Sequence, residues 1–215
     1  ASVIRCRHHD MIGSKQDRRT KAQRCKNAAR WQGVEAADHV RPAAGIGRRP
    51  ARSAAVIPDG VGRRARPGDD DFGAIYAQAD LISVLPDYDF VVIAAPLTAD
   101  TEGLFGEAEF RAMQPGARLI NIGRGPIVKT DALVDALRDG AIDGAALDVF
   151  EQEPLPPEHP LWALPNVHIS SHMAGDFIGW KTALSQQFID NFERWRAGET
   201  LNNTVDKAHG FVPST

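Results

Sequence analysis

A chain of 215 residues with 43% hydrophobic and 25% charged residues has room for one large domain or two small ones, and its balance is that of a globular protein. Its longest clean apolar run, "FVVIAAPL" from Phe90 to Leu97, is far shorter than the about 20 residues needed to cross a bilayer, so no membrane association is expected. The net charge of −3 conceals a division: residues 1–66 carry 16 Lys and Arg against 5 Asp and Glu, whereas residues 67–215 carry 9 against 23.

No basic start followed by an apolar stretch and a cleavage site is visible, and Cys6 and Cys25 lack CxxC spacing. A cytoplasmic location is therefore expected. Cys6, Cys25, His8 and His9 do not have the spacing of zinc ligands, so no metal is expected. The basic arm invites a nucleic-acid reading. Its arginines, however, are scattered among Ala, Gly and Pro with one aromatic, Trp31, and no helical stripe, so no nucleic-acid partner is expected.

Residues 1–60 read as an irregular basic segment, expected to pack poorly. No strand is legible in "GVEAADHVRP", and "AAVIPDGVG" is interrupted by Pro58, Asp59 and Gly60. Further along, the stretch "FGAIYAQADLISV", ending at Val84, reads as a short helix and turn. "DFVVIAAPL" (89–97) is a continuous apolar run of strand length, rich in β-branched residues and bounded by Asp and Pro. "LFGEAEFRAM" (104–113) reads as a helix closed by a Pro-Gly turn, and "ARLINIG" (117–123) as a second strand. "TDALVDALRDG" (130–140) predicts a helix capped by Thr130 or Asp131, with Leu133, Val134 and Leu137 on its apolar face and Gly140 at its end. "AALDVF" (145–150) and "NVHIS" (166–170) supply the third and fourth strands. This alternation predicts an α/β fold: a doubly wound parallel sheet with right-handed crossovers, covered on both faces. Residues 176–197 predict one long amphipathic helix. Its stripe of Phe177, Trp180, Leu184, Phe188, Phe192 and Trp195 is expected to be core.

In an open parallel sheet, ligands bind beyond the carboxyl ends of the strands. The first run is followed by Pro96 and Thr101, and the second by Arg124 between two glycines. The third ends at Asp148 and leads to Glu153; the fourth leads to His172. An arginine fork matches a carboxylate bidentately, and glycines beside it would leave a substrate room. Histidine gives or takes a proton near neutral pH, and a carboxylate behind it fixes its tautomer. No nucleophile with an adjacent base is present, so a hydrolase is disfavoured. The set suits reduction of a carbonyl beside a carboxylate, with hydride from a cofactor. The bland readings are that His172 is strand-end packing, that Asp148 caps a turn and that Glu151 is a solvated bystander.

"PLTADTEG", "INIGRGPIV", "ALDVFEQEPLP" and "NVHISSHMAG", in this order and spacing, resemble the cofactor domain of the D-isomer-specific 2-hydroxyacid dehydrogenases. The tail "NTVDKAHGFVPS" resembles the glyoxylate/hydroxypyruvate reductase-like branch. The resemblance implies a Rossmann-like dinucleotide-binding domain over 61–175, followed by a helix and tail over 176–215 that would pack on a substrate domain. It implies that Arg124 binds substrate, that His172 is the acid/base and that Glu153 is its partner. The cofactor would be lined by Pro96, Thr101, Ile122, Gly123, Asp148, His172, Ala174 and Gly175. The substrate would be a small 2-oxoacid or 2-hydroxyacid, and the complete protein a homodimer.

The pattern breaks upstream. Within "VRPAAGIGRRPARSAAV", Gly45 and Ile46 resemble the end of the family's glycine-rich cofactor motif, but Pro42 and Ala44 stand in the first two glycine positions. Pro50 falls where the pyrophosphate-binding helix belongs, at a cost of about 3 kcal/mol inside a helix. "KAQRCKNAARWQ" (21–32) again resembles the family, so residues 33–60 read as a degenerate or misread segment, as compensating frameshifts in a GC-rich gene would produce. Too little sequence precedes Lys21 for a substrate-closing domain, which leaves a non-catalytic nucleotide-binding or scaffolding module as the alternative function. Arg63 and Arg64 in "VGRRARP", with no acid before Asp69, favour NADP over NAD as the cofactor.

Overall fold

The computed structural model describes residues 3–6, 58–68, 72–208 and 212 of the chain. Eight strands form one sheet: β1 (Val3–Cys6), β2 (Pro58–Gly62), β3 (Arg66–Pro67), β4 (Ala74–Ala77), β5 (Phe90–Ile93), β6 (Arg118–Asn121), β7 (Gly144–Leu147) and β8 (Val167–Ile169). Their spatial order is β3-β4-β2-β1-β5-β6-β7-β8. The four apolar runs expected as strands become β5 to β8, a parallel block in which Val91 pairs with Leu119, Leu119 with Ala145 and Ala145 with Val167. This is the Rossmann-like part of the fold.

Three expectations upstream are corrected. β1 falls in the segment expected to be irregular, yet it pairs between β2 and β5. It runs antiparallel to both, so the sheet is mixed rather than wholly parallel. The supposed interruptions at Pro58, Asp59 and Gly60 lie inside β2. Pro58 stands at the first strand position, where a missing N–H is tolerated. Asp59 accepts the Ala74 N–H at 2.7 Å and the hydroxyl of the fully buried Tyr88. At Gly60 a Cβ would lie 2.6 Å from the end of the Ile75 side chain, so a larger residue would require that side chain to shift where β4 packs on β2. The expected helix at 72–84 likewise contains a strand, β4, at Ala74–Ala77. Pairing of Gly60 with Ile75 and Val61 with Tyr76 outweighs its local helical preference. Only α1 (Leu81–Val84) is α-helical there.

Alternation along the strands sets the core. Val91, Ile93, Leu119, Ala145 and Leu147 point to one face and are buried against Phe110 of α2 (Glu107–Ala112) and Leu133 and Leu137 of α3 (Thr130–Arg138). α3 stops where expected: Gly140 takes φ +71 and the Ala141 N–H returns to the Ala136 carbonyl. The opposite face carries Val92, Ile120 and Ala146 half-buried and His168 exposed. Among the described residues, then, helices α1 to α3 cover one face, where both were expected to be covered.

The last helix, α4 (Trp180–Arg196), begins after Gly179 at φ +88. Its stripe is not core, contrary to expectation. Phe188 is 71% exposed and Trp195 66%, because no described element packs along that side. Phe110→Ala should therefore cost about 3–5 kcal/mol of unfolding free energy, as for a buried aromatic. Phe188→Ala should change it by no more than about 0.5 kcal/mol. Chemical denaturation of both variants checks this, and a large loss from Phe188→Ala would contradict the exposed stripe.

Candidate active site

Strand β7 ends at Leu147, and the next residue, Asp148, is 4% exposed. Its Oδ1 accepts the Ser170 hydroxyl at 2.5 Å and the Met173 N–H at 2.9 Å, while Oδ2 accepts the Ala174 N–H at 2.8 Å. The turn-capping reading of Asp148 is thus what its hydrogen bonds display. Burial alone would push its carboxyl up, but those three hydrogen bonds, with the nearby His172, leave it below the ordinary aspartate range.

The capped turn encloses His172, which has φ +55. That left-handed conformation costs a non-glycine residue about 1–2 kcal/mol. Donors on both sides of His172 converge on Asp148, which accounts for its persistence. So held, the ring sets Nδ1 2.7 Å from Glu153 Oε2, and Glu153 Oε1 accepts the Phe150 N–H at 2.9 Å. Both side chains remain open to solvent, at 49% and 35% exposure. The hydrogen bond with His172 is the main cause that lowers the Glu153 carboxyl; it outweighs burial and is helped by the Phe150 N–H and the charges of His172 and Arg124. A carboxylate on Nδ1 fixes the proton there and leaves Nε2 for another molecule.

Arg124 follows β6 on a loop organised by Asn121, a residue of the "INIGRGPIV" stretch that carried no expected role. The Asn121 side chain, 1% exposed, donates to the Arg124 carbonyl at 3.2 Å and accepts the Gly123 N–H at 3.1 Å. A buried amide at the carboxyl end of a strand was the available signal. Arg124 is exposed, and its guanidinium donates from Nη1 to the Gly123 carbonyl at 2.6 Å. The glycines beside it have a different reason from the one expected. A Cβ at Gly123 would lie 2.8 Å from the Ala95 carbonyl, and one at Gly125 only 1.8 Å from the Phe150 carbonyl. They let backbone pack on backbone rather than leave room for substrate. Glu151 is no bystander either, since its Oε2 accepts the Thr130 N–H at 2.7 Å at the start of α3. Thr130 and Asp131, expected as caps, lie inside the first turn, and Lys129 occupies the N-cap without a side-chain bond.

Ile122, Asp148, Ser170, Met173 and Ala174, together with Ile120, Ala146 and His168 of the uncovered sheet face, line an open depression of about 190 Å³ that reaches the ends of β6 to β8. Gly175 has open space around it, and Pro96 is half-buried on the loop after β5. Thr101 is 1% exposed; its hydroxyl donates to the Pro96 carbonyl at 2.7 Å and accepts the Thr98 N–H at 2.8 Å, so it shapes that loop from within. Arg63 and Arg64 are exposed just after β2. Gly45 and Ile46 lie outside the described residues. Among those that are described, no cluster of three potential metal-binding side chains occurs and no helix is long and apolar enough to cross a membrane.

The sequence model of the D-isomer specific 2-hydroxyacid dehydrogenase NAD binding domain matches residues 44–174. The chain belongs to this family. It is 44% identical over 128 residues to a glyoxylate reductase of Thermofilum pendens, covering 60% of this chain and 38% of that protein. It is 41% identical over 145 residues to a glyoxylate/hydroxypyruvate reductase B of Citrobacter koseri, covering 67% and 44%. The chain thus spans less than half the length of these curated relatives. A D-isomer specific 2-hydroxyacid dehydrogenase from Xanthobacter autotrophicus Py2, solved with NADPH and MES, superposes with a TM-score of 0.68 at 33% identity, over 89% of this chain and 81% of that one. An NADPH-dependent glyoxylate/hydroxypyruvate reductase from Sinorhizobium meliloti, solved with NADP and sulfate, gives 0.67 at 31%, over 92% and 65%.

Asp148 makes the site of this family member acid-sensitive in a defined direction. A carboxyl held lower in the fold than in the unfolded chain stabilises above the unfolded value, about 3.9, and that contribution is lost as pH falls through the folded value. The stability difference between the natural protein and Asp148→Asn should therefore be largest above about pH 4 and shrink below it. Melting temperatures across pH measure this, and a difference that grew on acidification would contradict it.

Proposed function

We propose that the chain carries the cofactor-binding and proton-transferring part of an enzyme that interconverts small 2-oxoacids and 2-hydroxyacids, glyoxylate and hydroxypyruvate among them. What supports the reading most is the Glu153–His172 pair at 2.7 Å, poised at the strand ends with the exposed Arg124 side chain on the neighbouring loop.

A nicotinamide cofactor fits these residues. The apolar wall of Ile122 and Ala174 beside the polar edge of Asp148 and Ser170 suits a flat ring, although about 190 Å³ is less than the usual ligand site of 300–1,000 Å³ and takes only one end of a dinucleotide. Ile122, Gly123 and the 172–175 turn would hold that end. Arg63 and Arg64 would meet a ribose phosphate after β2, and this favours NADP over NAD. When bound, the cofactor supplies the hydride. Arg124 would clamp the substrate carboxylate and polarise its carbonyl. His172 Nε2 would donate its proton to the carbonyl oxygen as negative charge develops there, and Glu153 would stabilise the imidazolium and keep the ring aligned. Oxidation runs the same proton transfer backwards, with neutral His172 as base.

The exposed α4 stripe favours a second reading, a cofactor-binding module that does not turn over substrate by itself. Titration with NADPH and NADH, followed by assays with glyoxylate and hydroxypyruvate, separates the two. Tighter NADPH binding with turnover is expected; binding without turnover favours the module, and no binding overturns both. With turnover, His172→Ala should cost on the order of 10²–10⁴-fold in rate with little change in cofactor affinity. A His172→Ala chain that turns over as fast as the natural one would sink the assigned proton transfer.

A further inference from the structure

The loop that delivers Glu153 is tied at three points. The Phe150 carbonyl occupies the space where a side chain at Gly125 would stand. The Phe150 N–H is held by Glu153 itself. The third tie, Glu151 Oε2 to the Thr130 N–H at 2.7 Å, spans 21 residues. The first N–H groups of a helix need partners, and a local Ser, Thr or Asp ordinarily supplies one. At α3 the N-cap is Lys129, which contributes no side-chain bond, and its aliphatic stem lies over Gly103 and Gly106. The cap comes instead from the very loop that carries the catalytic carboxylate.

The chain segment between Gly125 and Thr130 links the two anchoring points on the substrate-binding side. Gly125 packs against the Phe150 backbone at one end of that segment and Thr130 bonds Glu151 at the other, so the Arg124 loop and the Glu153 loop are coupled. We propose that Glu151 is a positioning residue: by clasping the start of α3 it fixes the Phe150–Glu153 loop against the Arg124 loop and so keeps Glu153 in line with His172. The inference rests on the proposed roles of Arg124, Glu153 and His172, but it is read out by titration rather than turnover. An inactive chain and a wrong role for Glu151 are therefore distinguishable.

The charged groups that face Glu153 are His172 and Arg124, with Asp148 acting on the far side of His172. Losing the Glu151 charge alone would, by removing repulsion, hold the Glu153 carboxyl down. Losing alignment with His172 would release it upward. The two effects have opposite signs.

The test is carbon-detected NMR titration of the Glu153 carboxyl in the full chain and three variants. Thr130→Pro removes the N–H while leaving Glu151 in place; proline is well tolerated at the first helical position, and Lys129 at φ −69, ψ 107 is extended rather than helical, as a residue before proline must be. Glu151→Ala removes the acceptor, and Glu151→Gln keeps an acceptor oxygen. The Glu153 midpoint should rise toward the ordinary glutamate value in Thr130→Pro and Glu151→Ala, and stay low in Glu151→Gln. The Thr130 amide should exchange about tenfold faster in Glu151→Ala, as for one lost charge-assisted hydrogen bond. A midpoint that stays low in Thr130→Pro or Glu151→Ala would reduce Glu151 to a helix cap and overturn the proposal. An equal rise in Glu151→Gln would overturn it as well.

Discussion

A left-handed backbone is uncommon for any residue but glycine, and at His172, φ +55, the buried carboxylate of Asp148 collects the donors on either side and holds it. Asp148 is where sheet, turn and chemistry meet. Its own N–H pairs with the Asn121 carbonyl, fastening β7 to β6, and its side chain fastens the turn after β8. Without it, Ser170, Met173 and Ala174 would each lose an internal partner, and the ring would lose its aim at Glu153. Three hydrogen bonds to an ionised, buried acceptor are strong enough to keep the strained turn.

The remaining parts are placed by packing. β5 to β8 lie in parallel register, so every loop beyond their carboxyl ends opens on the same rim. Glycine brings the rim loops into contact: Gly123 touches the backbone after β5, and Gly125 the backbone after β7. Arg124 is held between them by Asn121 below. The candidate site is thus a set of loops packed on one another, which fixes the separation of Arg124 from the Glu153–His172 pair, as the proposed function requires.

Much of this was legible in the sequence because period and composition report burial. The runs that became β5 to β8 are apolar, and Arg124, Asp148, Glu153 and His172 stand just beyond them. What escaped depends on contacts between distant residues. Nothing local marks Asp59 as the partner of Tyr88, so Pro58, Asp59 and Gly60 read as breaks while they build β2. Ile75 and Tyr76 become a strand only because β2 lies beside them. Glu151 resembles any surface glutamate until Thr130 is brought to it, and the glycines around Arg124 admit a backbone that only the fold supplies. The α4 stripe has the period of a buried face, and period alone cannot say what covers it.

The backbone of residue 172 in Asp148→Ala, determined by crystallography, tests most directly whether the buried carboxylate sets the geometry of the Glu153–His172 pair. The account predicts that residue 172 leaves the left-handed region, and that Nδ1 moves out of hydrogen-bond reach of Glu153. A variant in which φ stays near +55 with the 2.7 Å contact intact would contradict it.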